Sequence, residues 1–346
     1  MQRALLLGGY GTFGAHVAKG LVQRGVAVTI AGRDGARAES FARSLGGEAR
    51  ALAVDMSDTM ALAAALDGHA VAVNCAGTVG AIGLVEECLA RGVNHVDIAF
   101  DRVYTRSLRA LDERLRARGV AAVHGCSSLP GLSGALALTC VEDSPRVVRA
   151  RVTLFIGNDN PKGTEAVRSA VAVLGRPIAT PQGIVRGFGD RESVELPVFG
   201  RRAVYNFDGP ELDLFPALVG AASVSVKVGF ELRLATLAFA ALARLGTWGD
   251  GAVRTLDAIG GLGRHLGGCA GGVVQTEIFL ANGERRRAAL SSEDAGQRMA
   301  ALPCALAVCA LLQGSTKTGA LTIYELLGAQ GLVHAMVEEG FQLTIG

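Results

Sequence analysis

The chain has no CxxC pair, although it carries seven cysteines, Cys75, Cys88, Cys126, Cys140, Cys269, Cys304 and Cys309. An odd set without paired spacing argues against a disulfide framework or a zinc site, and for reduced thiols in a cytoplasm. No metal is expected. No apolar run reaches the ~20 residues that a membrane-crossing helix needs. The two longest, residues 234–243 and 300–312, stop at Arg244 and at Gln313-Gly314, so they read as buried helices. The apolar start at Leu5-Leu6-Leu7 breaks at Gly8-Gly9, too early for a signal peptide. A formal charge of +2 leaves no basic stripe to neutralise several phosphates, which excludes duplex nucleic acid as the expected partner. Lysine is confined to Lys19, Lys162, Lys227 and Lys317 among 34 basic residues. Repeats and low-complexity tracts are absent.

Glycine is abundant, 47 of 346 residues, but without the triplet period of collagen. Half of the residues are hydrophobic, enough for a large core, and the length suits two domains.

The first 35 residues are the most informative. Ala4-Leu5-Leu6-Leu7 is a short apolar run suited to a strand buried on both faces. Gly9-Tyr10-Gly11-Thr12-Phe13-Gly14 follows, then apolar residues at helical spacing over 15–22. A dinucleotide site requires that order of strand, glycine loop and helix. Gly9 would permit the tight turn, Gly11 the approach of backbone to a pyrophosphate, and Gly14 close packing of helix on strand. The free N–H groups of this loop, which includes the cofactor-binding candidates Thr12 and Phe13, and the positive end of the helix would face the phosphates. A second strand over 26–31 ends in Gly32-Arg33-Asp34, where the chain meets the adenosine ribose. A carboxylate there suits a free 2′-hydroxyl and an arginine suits a 2′-phosphate. Arg33, with Arg37 one turn later, favours NADP(H) over NAD(H); Asp34 offers the alternative of a carboxylate turned to the ribose.

Strands and helices then alternate as far as a sixth strand over 121–124, with one long helix expected over 102–118. Six strands with crossover helices make an α/β doubly wound parallel Rossmann sheet, in which ligands sit beyond the carboxyl ends of the strands. That rule selects Asp55, Asn74-Cys75-Ala76-Gly77, Asp97 with Asp101, and His124 through Cys126, Ser127 and Ser128. From Pro130 the pattern changes to longer strands over 147–156, 198–207, 222–232 and 273–280. The last turns at Asn282-Gly283, a hairpin signal, toward 287–291. Helices are expected over 132–140, 165–174, 234–245 and 293–312, with Pro303 kinking or splitting the last. An α+β domain with a mainly antiparallel sheet fits this pattern. Residues 259–272 hold seven glycines and read as a loop able to act as a lid.

These motifs, with Ala31-Gly32-Arg33-Asp34, Asn94-His95-Val96-Asp97-Ile98-Ala99, and Gly125-Cys126-Ser127-Ser128-Leu129-Pro130-Gly131-Leu132-Ser133, make the chain resemble the saccharopine dehydrogenase-like oxidoreductases. The resemblance is strongest over residues 1–135 and extends more loosely to Tyr205-Asn206-Phe207-Asp208-Gly209-Pro210. It implies an NADP-binding domain of residues 1–130 and 300–346, with an inserted domain of residues 131–299 for substrate and dimer contacts. It also implies NAD(P)-dependent hydride transfer at a carbon bearing nitrogen in a small metabolite, by a homodimer. Lipid-modifying enoyl reductases also look like this group, so the fold leaves the reduced bond open. The amino-acid enzymes of the group tend to carry an acidic residue close before the Pro-Gly, where this chain has Cys126-Ser127-Ser128-Leu129. That departure argues against an amino-acid substrate.

Reaction at a C=N bond needs a proton donor near the nitrogen and a group that holds substrate charge. Asp97, His124 and Lys162 are the catalytic candidates. Asp101, Cys126, Ser127, Ser128 and Tyr205 are candidate substrate contacts. Each has a structural alternative: Asp101 as a helix cap, His124 as a core histidine, Cys126 as packing, and Lys162 in Asn158-Asp159-Asn160-Pro161-Lys162-Gly163 as a solvated loop residue. Gly314-Ser315-Thr316-Lys317-Thr318-Gly319 lacks Walker spacing and reads as a loop joining helices. Two rival functions remain open: an NADPH-dependent enoyl or carbonyl reductase on an apolar substrate, and an NADP(H)-sensing protein without turnover.

Overall fold

In the computed structural model, residues 2–141, 145–161, 171–246 and 267–346 are described. Lys162, Gly163, the first part of the helix expected over 165–174, and Gly260, Gly261 and Gly263 of the glycine-rich segment lie outside them. The chain divides into two compact units, Met1–Ser127 with Ala300–Gly328, and Ser128–Met299 with Ala329–Gly346.

The first unit is built on β1 (Arg3–Leu7), α1 (Thr12–Gln23), β2 (Ala27–Gly32), α2 (Gly35–Leu45), β3 (Arg50–Ala53), α3 (Thr59–Leu66), β4 (Val71–Asn74), α4 (Ala81–Arg91) and β5 (Asn94–Asp97). It continues through α5 (Arg102–Arg109), α6 (Asp112–Arg118) and β6 (Ala121–His124). All its strands are parallel. Leu5, Leu6 and Leu7 are buried on both faces, each contributing about 1.5–3 kcal/mol by leaving water. The apolar run of β1 therefore places it at the centre of the sheet.

The expected helix over 102–118 is two helices. The break after Arg109 brings Asp112 to the backbone N–H of Ala320, which it accepts at 2.8 Å. Ala320 belongs to a seventh strand, β15 (Gly319–Thr322), parallel to β6. The segment from Gly314 to Gly319 thus leads into a strand rather than joining helices. Lys317 donates to the carbonyls of Glu325 (2.6 Å) and Leu326 (3.0 Å), a helix-end cap and not a phosphate site.

Strand order is β15-β6-β5-β4-β1-β2-β3. The sequence of strands reverses between β1 and β4, so the crevice beyond their carboxyl ends is the ligand position of a doubly wound sheet.

The second unit begins with an irregular turn at Ser128–Leu132 that holds a cis Leu129–Pro130 bond, followed by α7 (Ser133–Val141) and β7 (Val147–Ile156). Next come β8 (Pro177–Thr180), β9 (Gly183–Arg186), β10 (Glu192–Leu196), β11 (Gly200–Asn206), α8 (Glu211–Val219), β12 (Ser223–Phe230) and α9 (Arg233–Leu245). The hairpin of β13 (Gly272–Leu280) and β14 (Arg285–Ser292) turns at Asn282-Gly283 as expected. The sheet runs β10-β11-β12-β7-β13-β14-β16, the last being residues Gln342–Ile345, and among the described strands only β12 with β7 is parallel. Strand β7 packs on α7 and α8.

Helix α10 (Gly296–Leu312) continues through Pro303 as one element, without the expected split. After α11 (Ile323–Leu327), helix α12 (Ala329–Glu338) packs on α7, and β16 (Gln342–Ile345) pairs with β14. The expected assignment of residues 300–346 to the first domain is therefore corrected: the last 18 residues complete the second sheet, because β16 finds its hydrogen-bond partners there.

Candidate cofactor and active site

The glycine loop lies between β1 and α1. Its left-handed turn falls on Gly8, with φ +75, rather than on Gly9. A Cβ on Gly8 would meet the backbone N of Ala76 at 2.9 Å, so the loops after β1 and β4 approach there without room for a side chain. Gly14 lies closer still: a Cβ would sit 2.2 Å from the Gly8 carbonyl. Gly11 precedes Thr12 as the N-cap of α1 and offers no side-chain cap. The first-turn N–H groups at Thr12, Phe13 and Gly14 are left for a ligand, at the positive end of the helix. This cradle, which a single methyl would fill, fits a pyrophosphate.

At the tip of β2, Asp34 accepts the Arg37 N–H at 3.0 Å and caps α2. One of its carboxylate oxygens, Oδ1, is engaged in that cap. Arg33 and Arg37 are exposed beside it. Past β3, hydrogen bonds from the Ser57 backbone and hydroxyl, with the charge of Arg33, hold the Asp55 carboxyl below its ordinary range.

Asn74, buried at the end of β4, ties down its own loop. Its Oδ1 accepts from Ala76 N–H (3.0 Å), and its Nδ2 donates to the Gly77 carbonyl (2.8 Å). Cys75 N–H donates to the Leu7 carbonyl at 2.8 Å, so Asn74, Cys75, Ala76 and Gly77 are locked to β1 beside the glycine loop.

Asp97, at the end of β5, is fully buried. Oδ1 accepts from the N–H groups of Ala99 (2.9 Å) and Gly125 (3.0 Å). Oδ2 accepts from the Tyr104 hydroxyl (2.7 Å) and lies 3.3 Å from His95 Nε2. Burial pushes this carboxyl upward, but the hydrogen bond and charge of His95, the charge of His124 and the Gly125 N–H outweigh it and hold it low. The Asp97 carbonyl also accepts the Cys126 N–H at 2.8 Å. One residue thus binds the ends of β5 and β6 together. Asp101 caps α5 by accepting the Tyr104 N–H at 2.7 Å.

His124 is fully buried, with a pKa lowered by burial, and further by Arg109, to about 4, so its ring is neutral at neutral pH. An Arg109 nitrogen lies 3.5 Å from Nε2, and Nδ1 has no hydrogen-bond partner. Burial keeps the Cys126 thiol protonated, which removes it as a nucleophile. Ser127 closes a tight turn by donating its N–H to the Gly125 carbonyl at 2.7 Å.

The candidates from Gly9 to Ser127 therefore gather beyond the carboxyl ends of β1, β2, β3, β4, β5 and β6. Ser128 and Tyr205 belong to the second unit and are buried there. Lys162 lies outside the described residues.

Sequence reasoning missed several residues. Gly8 was hidden by the adjacent Gly9, and Tyr10 sat unremarked inside the glycine motif. His95 and Tyr104 complete the Asp97 network. In the second unit, Glu211 is fully buried at the start of α8 and accepts from the Ser133 hydroxyl at 2.6 Å, while its Oε2 has no partner. Burial raises its pKa from 4.5 to about 7. Among the described residues no cluster of His, Cys, Asp or Glu could hold a metal ion. No described helix is long and apolar enough to cross a membrane.

A doubly wound parallel sheet, with this cradle at its switch point and two arginines past its second strand, defines a dinucleotide-binding α/β domain. Residues 4–123 match the family model of the saccharopine dehydrogenase NADP-binding domain. NADP(H) is the cofactor that this match gives for the segment. Among solved structures, the chain is similar over its whole length to apo saccharopine dehydrogenase (L-Glu forming) from Saccharomyces cerevisiae, with 14% identity, 100% of both chains covered and a TM-score of 0.68. A short-chain type dehydrogenase/reductase from Mycobacterium ulcerans is 20% identical over 36% of this chain and 66% of its own, with a TM-score of 0.32. No curated protein matches the sequence. At 14% identity the full-length similarity shows a shared fold.

Proposed function

We infer that the protein is an NADP(H)-dependent oxidoreductase acting on a C=N or C–N bond of a small metabolite. The observation that carries this reading is the cradle formed by Gly8, Gly11 and Gly14 against the Asn74 loop, within a segment that matches the saccharopine dehydrogenase NADP-binding domain. The nicotinamide, when bound, supplies or accepts a hydride. Gly9, Gly11, Thr12, Phe13 and Gly14 would hold the pyrophosphate. Arg33 and Arg37 would hold the 2′-phosphate, and Asn74 to Gly77 would border the crevice beside Asp55. Asp97 acts as a positioning residue: its four contacts set the loops that carry Asp101, Cys126 and Ser127 toward substrate. His124, neutral in its ordinary state, is an acceptor held at the end of β6. Lys162 is proposed as the group that exchanges a proton with the substrate nitrogen, a role that a lysine amine can serve. Ser128 and Tyr205 are proposed substrate contacts from the second unit.

The uncharged Cys126-Ser127 segment favours a second reading, reduction of an enone or a carbonyl on an apolar substrate. Consumption of NADPH with keto acids plus amines supports the first reading, and consumption with enones alone supports the second. Tight NADPH binding without turnover on either panel would replace both with a sensor. The seven free cysteines support a reducing, cytoplasmic setting, and a homodimer is proposed, with light scattering as its test.

A further inference from the structure

Tyr10 is the side chain that the glycine motif carries outward, and its surroundings lie entirely within the first unit. The turn at Gly8 sends it sideways across the end of β2. A Cβ on Gly32 would lie 2.5 Å from the Tyr10 hydroxyl oxygen and 2.7 Å from ring carbon Cε1, so the ring rests on the last residue of that strand, where only glycine fits. The hydroxyl oxygen accepts the Asp34 N–H at 3.2 Å. An oxygen that accepts from Asp34 keeps its own proton to donate. The Arg37 guanidinium stands over the ring, 4.9 Å from its centre. Arg33 is the neighbouring cation, near enough for its charge to act on Asp55. The Asp34 carboxylate caps α2 and is engaged with the Arg37 N–H.

The tip of β2 therefore presents one hydroxyl donor and two guanidinium groups. A dianion can use all three, and one oxygen of the nearby Asp34 carboxylate, Oδ1, is already engaged as the cap of α2.

We propose that Tyr10 is a specificity-determining residue for the 2′-phosphate of NADP(H): its hydroxyl donates to that phosphate, and its ring holds Arg37 in place to bind it. The proposal rests on the cofactor reading above and adds a residue to it. It also gives a physical reason for the side chain between Gly9 and Gly11. A large aromatic at this position links the pyrophosphate loop to the 2′-phosphate arginines, so the two ends of the adenosine half are set by one side chain.

The test is binding of NADP+, NAD+, 2′,5′-ADP and 5′-AMP to the full chain by calorimetry, for the wild type, Tyr10→Phe, Tyr10→Ala and Arg37→Ala. Tyr10→Phe keeps the ring and loses one donor to a charged acceptor. It should weaken NADP+ and 2′,5′-ADP by about tenfold and leave NAD+ and 5′-AMP unchanged. Tyr10→Ala should lose more, and adding Arg37→Ala to it should cost less than Arg37→Ala costs alone, because the ring no longer orients the guanidinium. Equal weakening of phosphorylated and unphosphorylated ligands by Tyr10→Phe would overturn the assignment and reduce Tyr10 to a loop support. A wild type that shows no preference for the 2′-phosphate would instead overturn the cofactor reading beneath it. Preference in the wild type that is abolished by Arg37→Ala but untouched in both Tyr10 variants would overturn the Tyr10 assignment alone.

Discussion

The two sheets treat buried polar groups in opposite ways. The parallel sheet of the first unit is mainly apolar along its strands, with Thr29 and His95 the buried polar residues inside them, and other polar side chains stand at the carboxyl ends, where Asp97 has both oxygens satisfied by backbone N–H groups, Tyr104 and His95. The mixed sheet of the second unit carries charge in mid-strand. Lys227 donates to Glu192 (2.8 Å), Asn206 (2.7 Å) and the Asp190 carbonyl (3.0 Å); Arg151 bridges Glu192 to the fully buried Glu277. On the same face Thr153, Ser225, Gln275 and Ser291 have side-chain atoms without hydrogen-bond partners. A charge at the end of a parallel strand organises loops around a ligand position, whereas a charge inside the mixed sheet is answered by its neighbours on adjacent strands. Two buried carboxyl groups sharpen the contrast: Asp97, surrounded by donors, is held low, and Glu211, met by one hydroxyl and its own backbone, is raised to about 7.

The largest expected effect is on Asp97. Asp97→Ala strands two backbone N–H groups, a phenol and a histidine, and should cost about 3–5 kcal/mol in urea unfolding. A loss below about 1 kcal/mol would show that the network is not what joins β5 to β6.

Opposite pH responses come next. The depressed carboxyl of Asp97 contributes stability that is present above the ordinary carboxylate range and is lost as pH falls through its folded pKa. His124, lowered to about 4, acts in the same direction below its ordinary 6.5. Glu211 has the reverse sign. Its contribution is complete below 4.5 and disappears as pH rises to about 7, a loss of about 3 kcal/mol. Glu211→Gln should remove that alkaline slope and leave the acid slope intact, read as unfolding midpoints from pH 4 to pH 9. An unchanged alkaline slope in the variant would assign it to another group.

A smaller cost is expected at Lys227. Lys227→Met should lose about 2 kcal/mol, because Arg151 still pairs with Glu192. A cost as large as that of Asp97→Ala would erase the distinction between the two sheets.

The smallest effect is on recognition. Arg33→Asp should weaken NADPH by about tenfold with NADH little changed, as the proposed pairing of this cation with the 2′-phosphate requires. Parallel losses for both cofactors would place Arg33 elsewhere.

The first unit was legible because its signals are local. Apolar runs of four or five residues, a glycine loop and the cap at Asp101 are all short-range features, whereas the caps at Asp34 and Asp58 appear only in the structure. The cap reading of Asp101 was open to sequence reasoning in the same way. What escaped was pairing. Strand β15 is four residues after a polar stretch, and it is a strand only because β6 offers its edge. Helix α8 was masked by Pro216 in its interior. Nothing near Glu211 in the chain announces Ser133, 78 residues away, and the burial that raises its pKa comes from packing.

The amino-acid sequence by itself determined the doubly wound domain and the glycine loop, since periodicity and backbone freedom act over a few residues. Only the tertiary structure decided that Gly8 rather than Gly9 makes the turn, that Tyr10 lies across Gly32, that Asp97 is a hub, and that the last strand completes the second sheet. Those outcomes depend on which distant atoms fill the space beside a residue.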